Sequence, residues 1–274
     1  MDDVLANLVH FTDGGQAVTQ APFEANPYAA LITHVFQEMR LRNQQSFAFK
    51  LKNFHLDDKK YPKVRRAAEV WRMYQPKSAR SMFKFGKSQY LEPTLQRGAH
   101  RICPASFYRD DALVSAIKDD ELQFSRQTCN AYVEIIDQEG GRRTFPTAGP
   151  AKITHTVNTD YYLACYAMAL ENRLFDDFDA DACLVIHDIE RYVNRLQEVI
   201  EPALPKWTWV PGVVQYHDPY NLLKTPDVYF SKHMRYAYQR EIRMIWVPPE
   251  PRIHLEPMHF EIGDLSSCCD LIRL

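Results

Sequence analysis

The run from Tyr229 to Trp246, YFSKHMRYAYQREIRMIW, ends in a two-residue alternation of polar and apolar side chains, and the reading of the whole chain turns on it. Successive side chains of a β-strand point to opposite faces. Gln239, Glu241 and Arg243 are therefore predicted to share one face, and Arg240, Ile242, Met244 and Trp246 the other. An amide, a carboxylate and a guanidinium aimed at one spot can hold a polar ligand. A carboxylate there can also stabilise positive charge developing on a sugar carbon. The same alternation fits a half-exposed strand whose Glu241 and Arg243 simply turn outward into water.

Working outward, the rest of the C-terminal part reads as short β-rich runs broken by turns: 81–85, 100–103, 131–136, 161–167, 182–187, 213–216 and 241–247. Gly140-Gly141 after Tyr132 to Ile136 predicts a hairpin over 131–147. Asp188 is a good N-cap, and Ile189, Tyr192, Val193, Leu196, Val199 and Ile200 follow at helical spacing until Pro202. The acidic stretch Asp176 to Asp181 reads as a loop, and Asp119-Asp120-Glu121 as a solvated helix end. Residues 1–78 have a different texture. Pro27 opens one helical pattern through Leu31, Ile32, Val35, Phe36 and Met39, and Pro62 opens another through Val64, Ala67, Ala68 and Trp71. The expected organisation is α+β, with an N-terminal helical lobe at 1–78 and an α+β catalytic-type domain at 79–274.

Composition bounds the function. A hydrophobic share of 46% and a charged share of 25% suit a globular chain with a real core. The net charge of −2 gives no overall attraction for nucleic acid or acidic membranes. With only 9 glycines and no Gly-rich phosphate motif, backbone-cradled phosphate binding is not expected. The N-terminus lacks a basic segment followed by an apolar run, and no long apolar stretch occurs, so a cytoplasmic location without membrane partners is expected. The 6 cysteines (Cys103, Cys129, Cys165, Cys183, Cys268, Cys269) show no Cys-x-x-Cys, so no metal is expected. They read as small apolar residues, with redox chemistry at Cys268-Cys269 as the alternative.

Three blocks, taken in order, resemble a family. Phe83-Lys84-Phe85, Leu95 to Ile102 and Phe107 to Asp111 are similar to the opening of a bacterial domain-of-unknown-function family. Leu163-Ala164-Cys165-Tyr166-Ala167 resembles its Cys-Phe-Ser strand, and Leu174 to Asp188 its following segment, which ends in a strand before a helix. Phe230-Ser231-Lys232 through Tyr238-Gln239-Arg240-Glu241-Ile242-Arg243 resembles its closing Lys, aromatic, Glu/Gln-x-Glu-x-Arg motif. Over roughly residues 80–247 the arrangement also resembles the ADP-ribosyltransferase superfamily, which implies a split β-sheet core that holds NAD as substrate.

By that resemblance Glu241 is the catalytic carboxylate at the nicotinamide ribose, and Gln239 positions the acceptor. Arg101 meets the NAD phosphates, with Arg97 and His100 as competitors. Phe85, Tyr108 and Tyr166 pack nicotinamide or adenine, and each is equally readable as plain core. Lys232 meets a phosphate, or else belongs to a solvated face with His233 and Arg235. The implied partners are NAD, a protein or nucleic-acid acceptor and an antitoxin or defence-complex protein, in a toxin or antiviral defence setting. NAD hydrolysis and a catalytically dead nucleotide-binding or interaction module are the rival functions. A metal-dependent nuclease built on the acidic clusters is disfavoured for want of a Glu-x-Lys strand.

Overall fold

The computed structural model of the chain describes residues 9–11, 17–19, 62–114, 116–128, 132–136, 141–146, 151–217 and 227–274. The chain divides into two compact units, Met1–Tyr61 and Pro62–Leu274. In the first, β1 (Val9–Phe11) and β2 (Ala17–Thr19) pair antiparallel. The helix expected through Leu31 to Met39 lies outside the described residues.

The second unit opens with α1 (Pro62–Met73), β3 (Met82–Gly86), α2 (Ser88–Arg97), β4 (Ala99–Pro104) and a 3-10 turn at Ala105–Arg109. Two nested ribbons follow. β5 (Gln123–Thr128) pairs with β8 (Ala151–Thr156), and between them β6 (Tyr132–Ile136) pairs with β7 (Arg142–Pro146) as the expected hairpin. Next come β9 (Tyr162–Ala167), α3 (Arg173–Asp177), β10 (Ala182–Ile186), α4 (Ile189–Ala203), β11 (Thr208–Val213) and β12 (Gln215–His217). Beyond 3-10 turns at Val228–Phe230 and Met234–Gln239, which flank β13 (Ser231–His233), the chain ends with β14 (Glu241–Val247), β15 (Met258–Glu261) and β16 (Cys269–Arg273).

The structure is mixed α and β around a mainly antiparallel sheet of 8 strands, ordered β11-β14-β9-β3-β10-β16 with β4 and β15 joined to one side of β9. That attachment forks the sheet. Along one side β9 pairs with β14 through its whole length. Along the other, its start pairs with β4 (Cys103 opposite Leu163) and its end with β3 (Phe83 opposite Ala167). In the gap between the two limbs, Lys84 Nζ donates to the Cys165 carbonyl at 3.0 Å, which satisfies a backbone acceptor that no strand reaches.

Both sheet faces are covered. Tyr162, Ala164, Tyr166, Met244 and Trp246 pack under α2 and α4 on one face. Phe83, Phe85, Ala167, Cys183 and Val185 pack against α1 and α3 on the other. Burial on both faces is why β10, ACLVI, is uniformly apolar and uniformly buried. Asp188 caps α4 as expected, its carboxylate accepting from Arg191 N at 3.1 Å.

Two expectations are corrected. The division falls before Pro62 rather than at 78/79, because Ala67, Val70, Trp71 and Tyr74 of the α1 segment bury themselves against Phe83 and Phe85. Asp119 to Glu121 is not a helix end in water: Glu121 is only 4% exposed, being drawn inward by an arginine and a lysine.

Candidate functional site

The carboxylate singled out by the alternation sits at the first position of β14, buried in a network of charges. Arg240 adopts a left-handed backbone with φ 43°, which ends the preceding 3-10 turn and lets the strand begin only at Glu241. Gln239 is therefore not on the strand, so the predicted three-residue face holds for Glu241 and Arg243 alone. Gln239 still converges on the same spot. Lys232 Nζ donates to Gln239 Oε1 at 3.2 Å and to Glu241 Oε2 at 3.0 Å, while Gln239 Nε2 donates to the Ala116 carbonyl at 2.8 Å.

Arg243 is completely buried and joins two carboxylates. Its Nε donates to Glu241 Oε1 at 2.6 Å. Its Nη1 and Nη2 grip Glu121 Oε2 and Oε1 at 2.6 and 3.0 Å, a bidentate fork of the kind guanidinium favours, and Nη1 also reaches the Tyr229 carbonyl. Lys232, on β13, lies 3.8 Å from Glu121 and is itself only 4% exposed. Two anions and two cations thus neutralise one another out of water, the condition under which buried charges are tolerated.

The environment separates the two acids. Burial alone would push the Glu241 carboxyl up, but the Arg243 and Lys232 charges outweigh it and hold the group well below the ordinary carboxylate range. For Glu121 burial is the larger influence, and it is pushed up in spite of the same two cations, so it is the weaker acid. Burial would lower Lys232, yet Glu241 and Glu121 hold its ammonium well above the usual lysine value. Cys165, opposite Arg243 in the ladder, has its thiol pushed well up by burial and by Glu241. The Tyr216 hydroxyl accepts from the Glu241 backbone N–H at 2.8 Å. A carboxylate has about four acceptor positions. Arg243 and Lys232 take one each.

The other expected site residues lie at varying removes. Tyr108 stands beside this network: burial pushes its hydroxyl up strongly, and Cys165, Glu121 and Glu241 add to the rise. Arg101 is exposed on β4, its guanidinium 4.8 Å from the Phe107 ring, which in turn meets Tyr108 edge-on at 5.7 Å. Phe85 belongs to an aromatic core cluster, edge-on to Phe175 at 5.1 Å and to Phe178 at 6.2 Å. Tyr166 is on the opposite face of the sheet, where its hydroxyl bonds that of Tyr192 at 2.8 Å. The chain of contacts continues there to His100, whose Nε2 is 2.7 Å from Tyr192 Oη and whose Nδ1 is 2.7 Å from the Gly98 carbonyl. The structure therefore gathers Glu241, Gln239 and Lys232, sets Tyr108 beside them, and leaves Arg101, Phe85 and Tyr166 apart.

Sequence reasoning missed Glu121, Cys165 and Tyr216 as members of the network. Among the described residues no group of three or more His, Cys, Asp and Glu side chains is arranged to hold a metal ion, and no helix is long and apolar enough to cross a membrane. No family model, no curated protein and no solved structure matches this chain.

Proposed function

We propose that the chain binds NAD and breaks the bond between nicotinamide and ribose, passing ADP-ribose to a protein or nucleic-acid acceptor. The observation that carries the reading is Glu241, a carboxylate held ionised by Arg243 and Lys232 at the head of a central strand. In the reaction the C1′–N bond breaks and its electron pair leaves with nicotinamide. The resulting positive charge on C1′ is stabilised by an acid that stays anionic across the neutral range. The acceptor nucleophile then bonds to C1′ and gives its proton to solvent. An acceptor position that Arg243 and Lys232 leave open on Glu241 suits a ribose hydroxyl, while those two cations fix its orientation so that little reorganisation is needed as charge develops.

The fork of β9 between β3 and β4 supports an ADP-ribosyltransferase-like split sheet. Arg101, with its exposed guanidinium on the β4 limb, is the residue suited to the NAD phosphates, and Tyr108 the aromatic suited to the nicotinamide end. A toxin or phage-defence role, with an antitoxin partner, rests on the family resemblance alone.

A second reading, a nucleotide-binding or interaction module without catalysis, is favoured by one feature. Glu241 is 5% exposed and both its oxygens already serve internal cations, as in a purely structural ion cluster. Incubation with adenylate-labelled NAD and cell lysate separates the cases. Labelled macromolecule supports transfer, free ADP-ribose supports hydrolysis with water as acceptor, and intact NAD supports the module. A raised unfolding midpoint in NAD would still report binding in the last case.

A further inference from the structure

The ion cluster holds one more carboxylate than the proposed chemistry needs, and it comes from a remote segment. Glu121 sits 122 positions before Arg243, on the stretch leading into β5. Its backbone is fixed by the hydroxyl of fully buried Tyr161, which donates to the Glu121 carbonyl at 2.9 Å. Its side chain does nothing but hold cations: both Arg243 terminal nitrogens at 2.6 and 3.0 Å, and Lys232 at 3.8 Å.

Glu241 alone faces two cations, Arg243 and Lys232, at 2.6 and 3.0 Å. A lone carboxylate beside two buried positive charges makes a locally positive site, which opposes a developing carbocation rather than stabilising it. Glu121 removes that surplus. It also occupies the two terminal nitrogens of Arg243, so that only Nε is directed at Glu241.

We propose that Glu121 is a positioning and charge-balancing residue for Glu241: it neutralises the second buried cation and holds Arg243 to a single bond on the working carboxylate. The assignment rests on Glu241 being that carboxylate. Glu121 touches no substrate; it acts through Arg243 and Lys232.

The test compares wild type, Glu121→Gln and Glu121→Asp in the full chain, with NAD affinity by calorimetry and nicotinamide release at saturating NAD. Gln matches the shape of Glu121 without its charge, whereas Asp keeps the charge with a shorter reach. Glu121→Gln is expected to bind NAD with unchanged stoichiometry and affinity but to release nicotinamide about 10²-fold more slowly. That is the scale of a unit charge several ångströms away at an effective dielectric of about 20. Glu121→Asp is expected to recover part of the rate. Equal rates for all three, or Gln outperforming Asp, would overturn the assignment while leaving Glu241's role standing. A wild type that leaves NAD intact would overturn both. Should Glu121→Gln fail to fold, Glu121→Asp and Tyr161→Phe, which frees the Glu121 carbonyl while keeping its charge, are compared in the same way. Rates no lower than wild type in both would then count against the proposal.

Discussion

Replacing Arg243 with methionine removes the hub of the ion cluster and keeps an unbranched side chain of comparable length. Three hydrogen bonds disappear, one each to Glu241, Glu121 and the Tyr229 carbonyl, together with a second ion-pair contact to Glu121 at 2.6 Å. Two buried carboxylates are then left to share Lys232. Breaking a buried pair from one side costs about 3–5 kcal/mol, a large part of the roughly 5–15 kcal/mol that stabilises an ordinary domain. The loss has a sign in pH. In wild type Glu241 is held below the ordinary carboxylate range, so its stabilisation is present at neutral pH and is lost only as pH falls through that range. In Arg243→Met the crowded carboxylates titrate above the unfolded value, so folding takes up protons and stability falls as pH rises. The variant should therefore be penalised less near pH 5 than near pH 8. Urea unfolding followed by tryptophan fluorescence is the assay. All 4 tryptophans (Trp71, Trp207, Trp209 and Trp246) lie in the unit Pro62–Leu274, so the signal reports that unit alone. A loss below about 1 kcal/mol that is the same at both pH values would mean the charges are solvated, and would refute the buried network.

Other perturbations probe the surroundings. Burial raises the Glu171 carboxyl to about 7 despite Arg240 at 3.7 Å. The folded chain thus keeps a proton that the unfolded chain loses, and wild-type stability measured against Glu171→Gln should fall by about 3 kcal/mol as pH rises from 4.5 to 7 in urea titrations. His100 works the opposite way. Burial lowers it to about 4 from 6.5, so wild type measured against His100→Gln should lose about 3 kcal/mol on acidification through that window. Gly98 caps α2 with φ 66°, and a Cβ there would come within 2.5 Å of the Gly263 carbonyl oxygen. Gly98→Ala should lose about 1–3 kcal/mol in the same unfolding assay.

Local pattern carried the fold where the forces are local. The strand from Glu241 to Val247, the hairpin of β6 with β7 and the Asp188 cap are each written in adjacent residues, because pleat alternation, turn residues and capping act over a few positions. Gln239 fell off the strand because a left-handed Arg240 intervenes, a backbone state that arginine rarely adopts and that no neighbour announces. Glu121 read as a solvated charge, and Lys232 as a phosphate contact or else a solvated charge, because acidic and basic clusters usually face water. Their burial depends on partners far along the chain, which pattern cannot pair. The fork of β9 is likewise a matter of long-range register. Glu241 and its alternation with Arg243 were visible; what surrounds that carboxylate was not.

Nicotinamide release from NAD, measured by chromatography for wild type and for Glu241→Gln, tests the central claim most directly. The glutamine variant keeps the side-chain shape and removes the charge proposed to stabilise C1′. Release by wild type, reduced about 10²–10³-fold in Glu241→Gln at unchanged NAD affinity, is the predicted result. No release by wild type, or equal release by both proteins, would contradict it.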